Sequence, residues 1–411
     1  MANVLLIESV INKEDITYKH LEMLDLLKTL EISPNYFVKQ ELSEPYTKTY
    51  LGSGKVHEIY ELIMAYNIDL VVCNFDLTPV QYMALKDRFD VEILDRTGVI
   101  LQIFSRKAKS KEARLQAEIA NLKYLKSRLV DKEANYSQVT SGGGFRNKGS
   151  GEKQIDLDRN KYKVLLKRKE VELEKLVVQR KNNRKTRFNL PVMAIVGYTN
   201  AGKSTLLNQL LKKSNTKESK SIIQEDKLFA TLETSTRLID IYEYPYFLLT
   251  DTVGFISNLP TMLVEAFKST LEEISDADLL IHVVDVSNPN YLEQINVTKS
   301  ILKELNCENI PTVYLYNKID KCKSIPFIPK RNELLVSLKD FEDLKQILDL
   351  IFNEIKEKWE YLELEVPFSK NVYMIKKYGF VENLEMLDDN FLVKGYFPSY
   401  HKKYLKSILD D

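Results

Sequence analysis

The chain has 411 residues, 44% hydrophobic and 29% charged, which gives room for roughly two to four domains with real cores. No apolar run reaches the ~18 residues of a spanning helix, which excludes stable membrane insertion. The 59 Lys/Arg balance 59 Asp/Glu overall, yet residues 101–190 hold 24 basic against 10 acidic side chains, a net of +14.

The first residues, Met1-Ala2-Asn3-Val4-Leu5-Leu6-Ile7-Glu8, carry no basic segment and read as a strand, not a signal peptide. Residues 3–7, 36–39, 70–74 and 91–94 are strand candidates, and 14–31, 55–66 and 78–89 are helix candidates between them. That alternation predicts a small N-terminal α/β domain over 1–104.

Residues 105–188 change character. Leu115, Ile119, Leu122, Leu125 and Leu129 recur at helical spacing, as do Tyr162, Leu166, Leu173, Leu176 and Val177. Between them lies the glycine-rich stretch 141–151. The simplest object is an antiparallel helical hairpin with a basic tip, its wet faces carrying the Lys and Arg. A block of this charge points to a polyanion partner, nucleic acid before membrane.

Residues 189–360 alternate again, with apolar runs at 192–196, 247–251, 279–285, 312–316 and 334–337 that read as buried parallel strands. Residues 361–411, with a break at Val366-Pro367, read as a small C-terminal α+β domain. Cys73, Cys307 and Cys322 are odd in number and far apart, so no disulfide framework is expected and a reducing, cytoplasmic compartment is. Four scattered histidines give no zinc spacing.

Gly197-Tyr198-Thr199-Asn200-Ala201-Gly202-Lys203-Ser204 fits the phosphate-loop pattern between a strand and the helical continuation from Thr205. Backbone N–H groups of such a loop point at phosphate oxygens, and the following helix adds its positive end. Lys203 should reach the β- and γ-phosphates, and the Ser204 hydroxyl should bind Mg²⁺. Asn317-Lys318-Ile319-Asp320, at the end of another strand, selects the base. The Asp320 carboxylate accepts from guanine N1–H and N2–H, where adenine would leave it unpaired. Asn317 would brace the loops, and the Lys318 stem would cover the base. Ser337-Leu338-Lys339 is the expected closing base loop. Asp251-Thr252-Val253-Gly254 should hold the Mg²⁺ shell through water at Asp251 and sense the γ-phosphate at the Gly254 N–H. Phe229-Ala230-Thr231-Leu232-Glu233 and Asp251–Asn258 should be the two switches ordered by GTP, with the Thr231 hydroxyl on Mg²⁺ and Thr234 and Thr236 as rivals. Lys203, Thr231 and Gly254 are the expected catalytic groups. Phe255 follows Gly254 where many GTPases place a water-orienting glutamine, so slow unassisted turnover is expected.

The stretch 196–206, with Leu228–Leu232 and Asp251–Ile256, closely resembles the HflX family of translational GTPases. Leu51-Gly52-Ser53-Gly54-Lys55, Leu94-Asp95-Arg96-Thr97-Gly98 and Ile103-Phe104 look like that family's N-terminal domain. Glu112-Ala113-Arg114-Leu115-Gln116 and Gly149-Ser150-Gly151-Glu152-Lys153-Gln154 look like its hairpin. Ser150, Asn160, Glu233 and Leu338 depart from the family's usual residues. The resemblance implies a GTPase, monomeric off the ribosome, that binds the large ribosomal subunit and splits stalled or idle ribosomes. In the family the hairpin tip approaches the peptidyl-transferase region. A ribosome-assembly GTPase and a nucleotide-stabilised RNA-binding scaffold are the alternatives. Gly52-Ser53-Gly54-Lys55 is expected to be a turn opening a helix or an RNA contact, because Thr49 stands where a second phosphate loop needs glycine.

Overall fold

The computed structural model describes residues 2–12, 16–129, 150–184, 190–215, 235–252, 254–256, 274–324, 327–339, 343–368, 372–387, 389–402 and 405. They form two compact units, one from residues up to Gln179 and one from Arg180 onward.

In the first unit, β1 (Val4–Ile11), β2 (Tyr36–Leu42), β3 (Leu70–Cys73) and β4 (Glu92–Leu94) make a parallel sheet in the order β2-β1-β3-β4. Helices α1 (Thr17–Thr29), α2 (Ser53–Tyr66) and α3 (Pro79–Phe89) join the strands. Local chemistry sets their ends. Thr78 and Gln81 form a reciprocal capping box with Pro79 in the first turn of α3, and Asp90 closes that helix in a left-handed conformation. Gly52 is the residue before α2, so Gly52-Ser53-Gly54-Lys55 is a turn opening a helix.

Helix α4 (Arg96–Lys107) has no counterpart among the sequence-predicted elements. Eight of its twelve residues are buried, from Arg96 to Phe104, so it shows little of the one-sided stripe that marks a helix in sequence. Asp95 caps it. This fully buried carboxylate accepts from Gly98 N–H at 2.9 Å, Leu77 N–H at 3.1 Å and the Tyr124 hydroxyl at 2.8 Å, and from the Arg128 guanidinium. Tyr124 and Arg128 belong to α5 (Lys111–Arg128), the first arm of the hairpin.

The second arm is the 35-residue α6 (Ser150–Arg184). Lys111–Glu172 (2.9 Å) and Lys169–Glu118 (2.6 Å) link the arms. The expected apolar seam holds at Leu115, Ile119 and Leu166, which are buried. Leu125, expected in that seam, is 45% exposed. Leu129 lies one residue past the end of α5. The correction has a physical cause: α5 also buries Ala113, Ala117, Ala120 and Tyr124, so its buried surface is shared among several neighbours and is not a single stripe. The tip, 141–149, lies outside the described residues.

In the second unit, β5 (Val192–Val196), β6 (Ser235–Ile239), β7 (Phe247–Asp251), β8 (Leu279–Asp285), β9 (Thr312–Asn317) and β10 (Glu333–Leu335) form a sheet in the order β10-β9-β8-β5-β7-β6. All neighbours are parallel except the antiparallel pair β6–β7. Helices α7 (Lys203–Lys213), α8 (Tyr291–Glu304) and α9 (Leu344–Ile355) accompany it. On α9, Leu344, Ile347, Leu348, Ile351, Phe352 and Ile355 are buried at helical spacing, each worth about 1.5–3 kcal/mol of transfer free energy.

The chain ends in an antiparallel sheet of β11 (Glu360–Pro367), β12 (Phe380–Met386) and β13 (Asn390–Phe397), ordered β11-β13-β12, with the short α10 (Val372–Lys376). Strand β11 includes the Val366-Pro367 pair as its last two residues, so the expected break is the end of an edge strand, where a missing N–H is tolerated. Buried Lys377 ties this sheet to the β6–β7 turn through an ion pair with Asp240, while Tyr246 N–H donates to the Lys377 carbonyl at 2.9 Å.

Candidate nucleotide-binding site

Every well-placed candidate residue of the second unit lies at the carboxyl edge of its sheet, where open α/β sheets bind ligands. Buried β5 delivers the chain into the loop Gly197–Gly202, and α7 begins at Lys203. Gly197 (φ +141°) and Gly202 (φ +111°) occupy left-handed backbone. A Cβ at Gly197 would stand 2.2 Å from the Val283 carbonyl oxygen, and one at Gly202 2.2 Å from Asn317 Nδ2. Both positions therefore demand glycine. Asn200, at φ 62°, is a residue type that tolerates that region.

Lys203 is buried, and its Nζ donates to the carbonyls of Gly197 (3.0 Å) and Tyr198 (2.6 Å). Burial pulls its pKa down to about 8; the Asp251 charge opposes that shift and Lys318 adds to it. Next to it, the Ser204 hydroxyl donates to Asp251 Oδ2 at 3.3 Å. Asp251 ends β7 fully buried, and Thr252 is anchored by its hydroxyl to the Ile195 carbonyl at 2.6 Å. Thr199 Oγ1 is buried without a hydrogen-bond partner among the described residues. A Cβ at Gly254 would lie 2.7 Å from Thr199 Cγ2 and 3.0 Å from Lys203 Nζ, so this glycine packs directly on the loop and the amine. Phe255 is 1% exposed and packs with Ala194, Val196, Ile274 and Leu280.

The base-side residues also converge. Asn317 Nδ2 donates to the Ala201 carbonyl at 2.8 Å, and Asn317 Oδ1 accepts from Leu338 N–H at 2.9 Å. One amide thus bridges the phosphate loop and the loop after β10. Asp320 accepts from Ser337 Oγ at 3.2 Å and Lys339 Nζ at 2.9 Å, and the Lys339 bond holds its carboxyl below the ordinary carboxylate range. Lys318 Nζ reaches Asp285 Oδ2 at 2.7 Å.

Thr205 follows Ser204 in the first turn of α7, and Ile319 N–H donates to Val336 O at 3.4 Å. Phe229, Ala230, Thr231, Leu232, Glu233, Val253 and the rival Thr234 lie outside the described residues. Thr236, the other rival, sits in β6 with its hydroxyl on Thr250 Oγ1 at 3.0 Å, so the sheet already uses it. Sequence reasoning missed three supports. Gln209 donates to the Leu338 carbonyl at 3.0 Å, Asp343 accepts from Ser337 N–H at 2.9 Å, and Asp285 holds Lys318. Only Asp285 left a sequence signal, a carboxylate closing an apolar strand.

A buried amine beside a hydroxyl–carboxylate pair and an inward-facing threonine fits a phosphate–Mg²⁺ site. Mg²⁺ takes few protein ligands and completes its shell with phosphate and water. No group of three or more candidate metal ligands occurs among the described residues. Cys73, Cys307 and Cys322 are free, and no described helix is long and apolar enough to cross a membrane.

The parallel sheet, the glycine-strained loop opening α7 and the converging strand-end clusters define a P-loop GTPase. Family models match residues 18–105 (GTP-binding GTPase N-terminal), 107–187 (GTP-binding GTPase middle region) and 192–318 (50S ribosome-binding GTPase). GTPase HflX of Caldanaerobacter subterraneus subsp. tengcongensis is 39% identical over 84% of this chain and 78% of its own. GTPase HflX of Lacrimispora saccharolytica is 37% identical over 92% of this chain and 89% of its own. The chain belongs to the HflX family of GTPases, and it binds and hydrolyses GTP. A GTP-binding protein from Sulfolobus solfataricus, solved with GDP, is 23% identical over 87% of this chain and 99% of its own, with a TM-score of 0.44, a loose likeness.

Proposed function

We propose that this GTPase binds the large ribosomal subunit, its hairpin directed at RNA near the peptidyl-transferase region, and separates stalled or idle ribosomes. The observation that carries the reading is the convergence of Lys203, the Ser204–Asp251 pair and the Asn317 brace on one sheet edge. The matched model described as a 50S ribosome-binding GTPase and the +14 charge of residues 101–190 support the ribosomal partner.

The roles proposed for the residues are these. The Lys203 amine exchanges its two carbonyl partners for β- and γ-phosphate oxygens. Ser204 would hold Mg²⁺ directly, Asp251 through water, and Thr231 is the proposed further ligand. A Mg²⁺ ion held there would supply neutralisation of the phosphate charge. Gly254 N–H meets the γ-phosphate, and Asp320 reads guanine. Phe255, turned into the core, cannot orient the attacking water as an amide would, and the ribosome raises the rate.

The test is phosphate release with and without purified large subunits, joined to sucrose-gradient profiles of intact ribosomes. Stimulated release and loss of intact ribosomes with protein and a GTP analogue are expected. Equal release in both conditions, or unchanged profiles, overturns the reading.

A further inference from the structure

Asp285 closes β8 at the edge that carries the site, and both of its carboxylate oxygens are engaged. Oδ2 accepts from Lys318 Nζ at 2.7 Å, while Oδ1 accepts from the Ser287 hydroxyl at 2.5 Å and the Ser287 backbone N–H at 3.1 Å. Ser287 therefore fixes the direction of the carboxylate. Val286 N–H donates to the Asn317 carbonyl at 3.1 Å, which locks the ends of β8 and β9 together. Lys318 itself is held at φ 67°, a backbone region that a long side chain does not choose unaided. The Lys318 and Asp285 side chains are only 16% and 17% exposed, so the pair is shielded from the water that makes surface ion pairs weak.

An amine moored at Asp285 forces the lysine stem to span from β9 to β8 as an apolar bar and keeps it from trailing into solvent. We propose that Asp285 is a positioning residue for nucleotide binding, pinning the Lys318 stem as a lid across the face of the guanine base. The inference rests on the reading of Asp320 as the group that recognises that base. Asp285 also offsets the Lys318 charge, which is close enough to act on Lys203.

The experiment measures release of fluorescently labelled GDP from the full chain, from Asp285→Asn, from Lys318→Met, which keeps a stem of similar length without the amine, and from the double variant. Asp285→Asn should release GDP about tenfold faster, the worth of one fixed charge-assisted hydrogen bond. In the Lys318→Met background it should add nothing. Unchanged release in the wild-type background, or equal acceleration in both, overturns the proposal. Should Asp285→Asn melt early, Ser287→Ala loosens the same carboxylate from its other side and is held to the same two outcomes. Asp320→Asn, run in parallel, separates the two readings. If it leaves GDP release and discrimination against XDP unaltered, the base assignment fails, whatever the Asp285–Lys318 cycle gives.

Discussion

Thr199 donates its backbone N–H to the Phe255 carbonyl at 2.8 Å, and Phe255 N–H returns a bond to the Gly197 carbonyl at 3.2 Å. The two bonds zip the phosphate loop to the chain after β7 and turn the Phe255 ring away from the loop, among Ala194, Val196 and Leu280. Phe255→Gln would bury an amide in that apolar cluster. A loss of about 2–4 kcal/mol in urea unfolding is expected, with no rise in single-turnover hydrolysis. Faster hydrolysis by this variant would show that the position faces the reacting water after all.

Lys203 gives a pH signature. Its pKa in the fold is about 8, against an ordinary 10.5. Between those values the unfolded chain binds the extra proton, so nucleotide-free stability rises with pH across that window. Below pH 8 both states are protonated and the full cost of the buried charge, on the order of 3 kcal/mol, is present. Lys203→Met should abolish tight nucleotide binding yet melt no lower than wild type at pH 7, and its advantage should shrink as pH climbs from 8 towards 10.5. A lower melting temperature for the variant at neutral pH contradicts this.

Asp320→Asn replaces an acceptor by a donor opposite guanine's own donors. GTP affinity should fall by roughly 100-fold and xanthosine triphosphate should become the better ligand. Competition binding with the two triphosphates decides it, and undiminished GTP affinity refutes the base assignment.

Arg128 and Asp95 form a buried pair, 9% and 0% exposed, with Arg128 also stacked over Tyr82 at 4.6 Å and Tyr124 at 4.7 Å. Removing one partner leaves the other charge uncompensated. Asp95→Asn should cost about 3–5 kcal/mol in chemical unfolding, and Asp95→Asn with Arg128→Met less than the two singles combined. Additive losses would mean that the pair does not act as one unit.

Arg146 and Lys148 lie in the glycine-rich tip of the sequence. Replacing both with glutamine should weaken binding to large subunits and flatten its salt dependence by a slope of about 1–2, leaving free GTP binding intact. The same slope in variant and wild type would remove the tip from the RNA contact.

Sequence alone revealed the central strands of the large sheet because both faces of each are covered, leaving unbroken apolar runs such as Val192–Val196 and Leu279–Asp285. Strand β6, Ser235–Ile239, escaped notice because it is an edge strand whose residues are mostly half-exposed and polar. Helix α4 escaped for the opposite reason, since it is covered on almost every side. The phosphate loop and the Asn317–Asp320 run were legible because each packs its chemistry into a few consecutive residues. Gln209 was not, because it serves the site through Leu338, far away along the chain, and Asp343 was not, because a lone carboxylate holding the Ser337 N–H belongs to no consecutive pattern; Asp285 showed only as a carboxylate closing an apolar strand, with its partner Lys318 just past the end of the next strand.

The long second arm has a mechanical corollary. Thirty-five helical residues, Ser150–Arg184, rise about 50 Å at 1.5 Å each. A rigid rod of that reach is a lever: a swing of about 5° at its base carries the far end through roughly 4–5 Å, the width of a nucleobase edge. Modest rearrangement near the fulcrum is thus amplified into a displacement large enough to break or make atomic contacts at a distance.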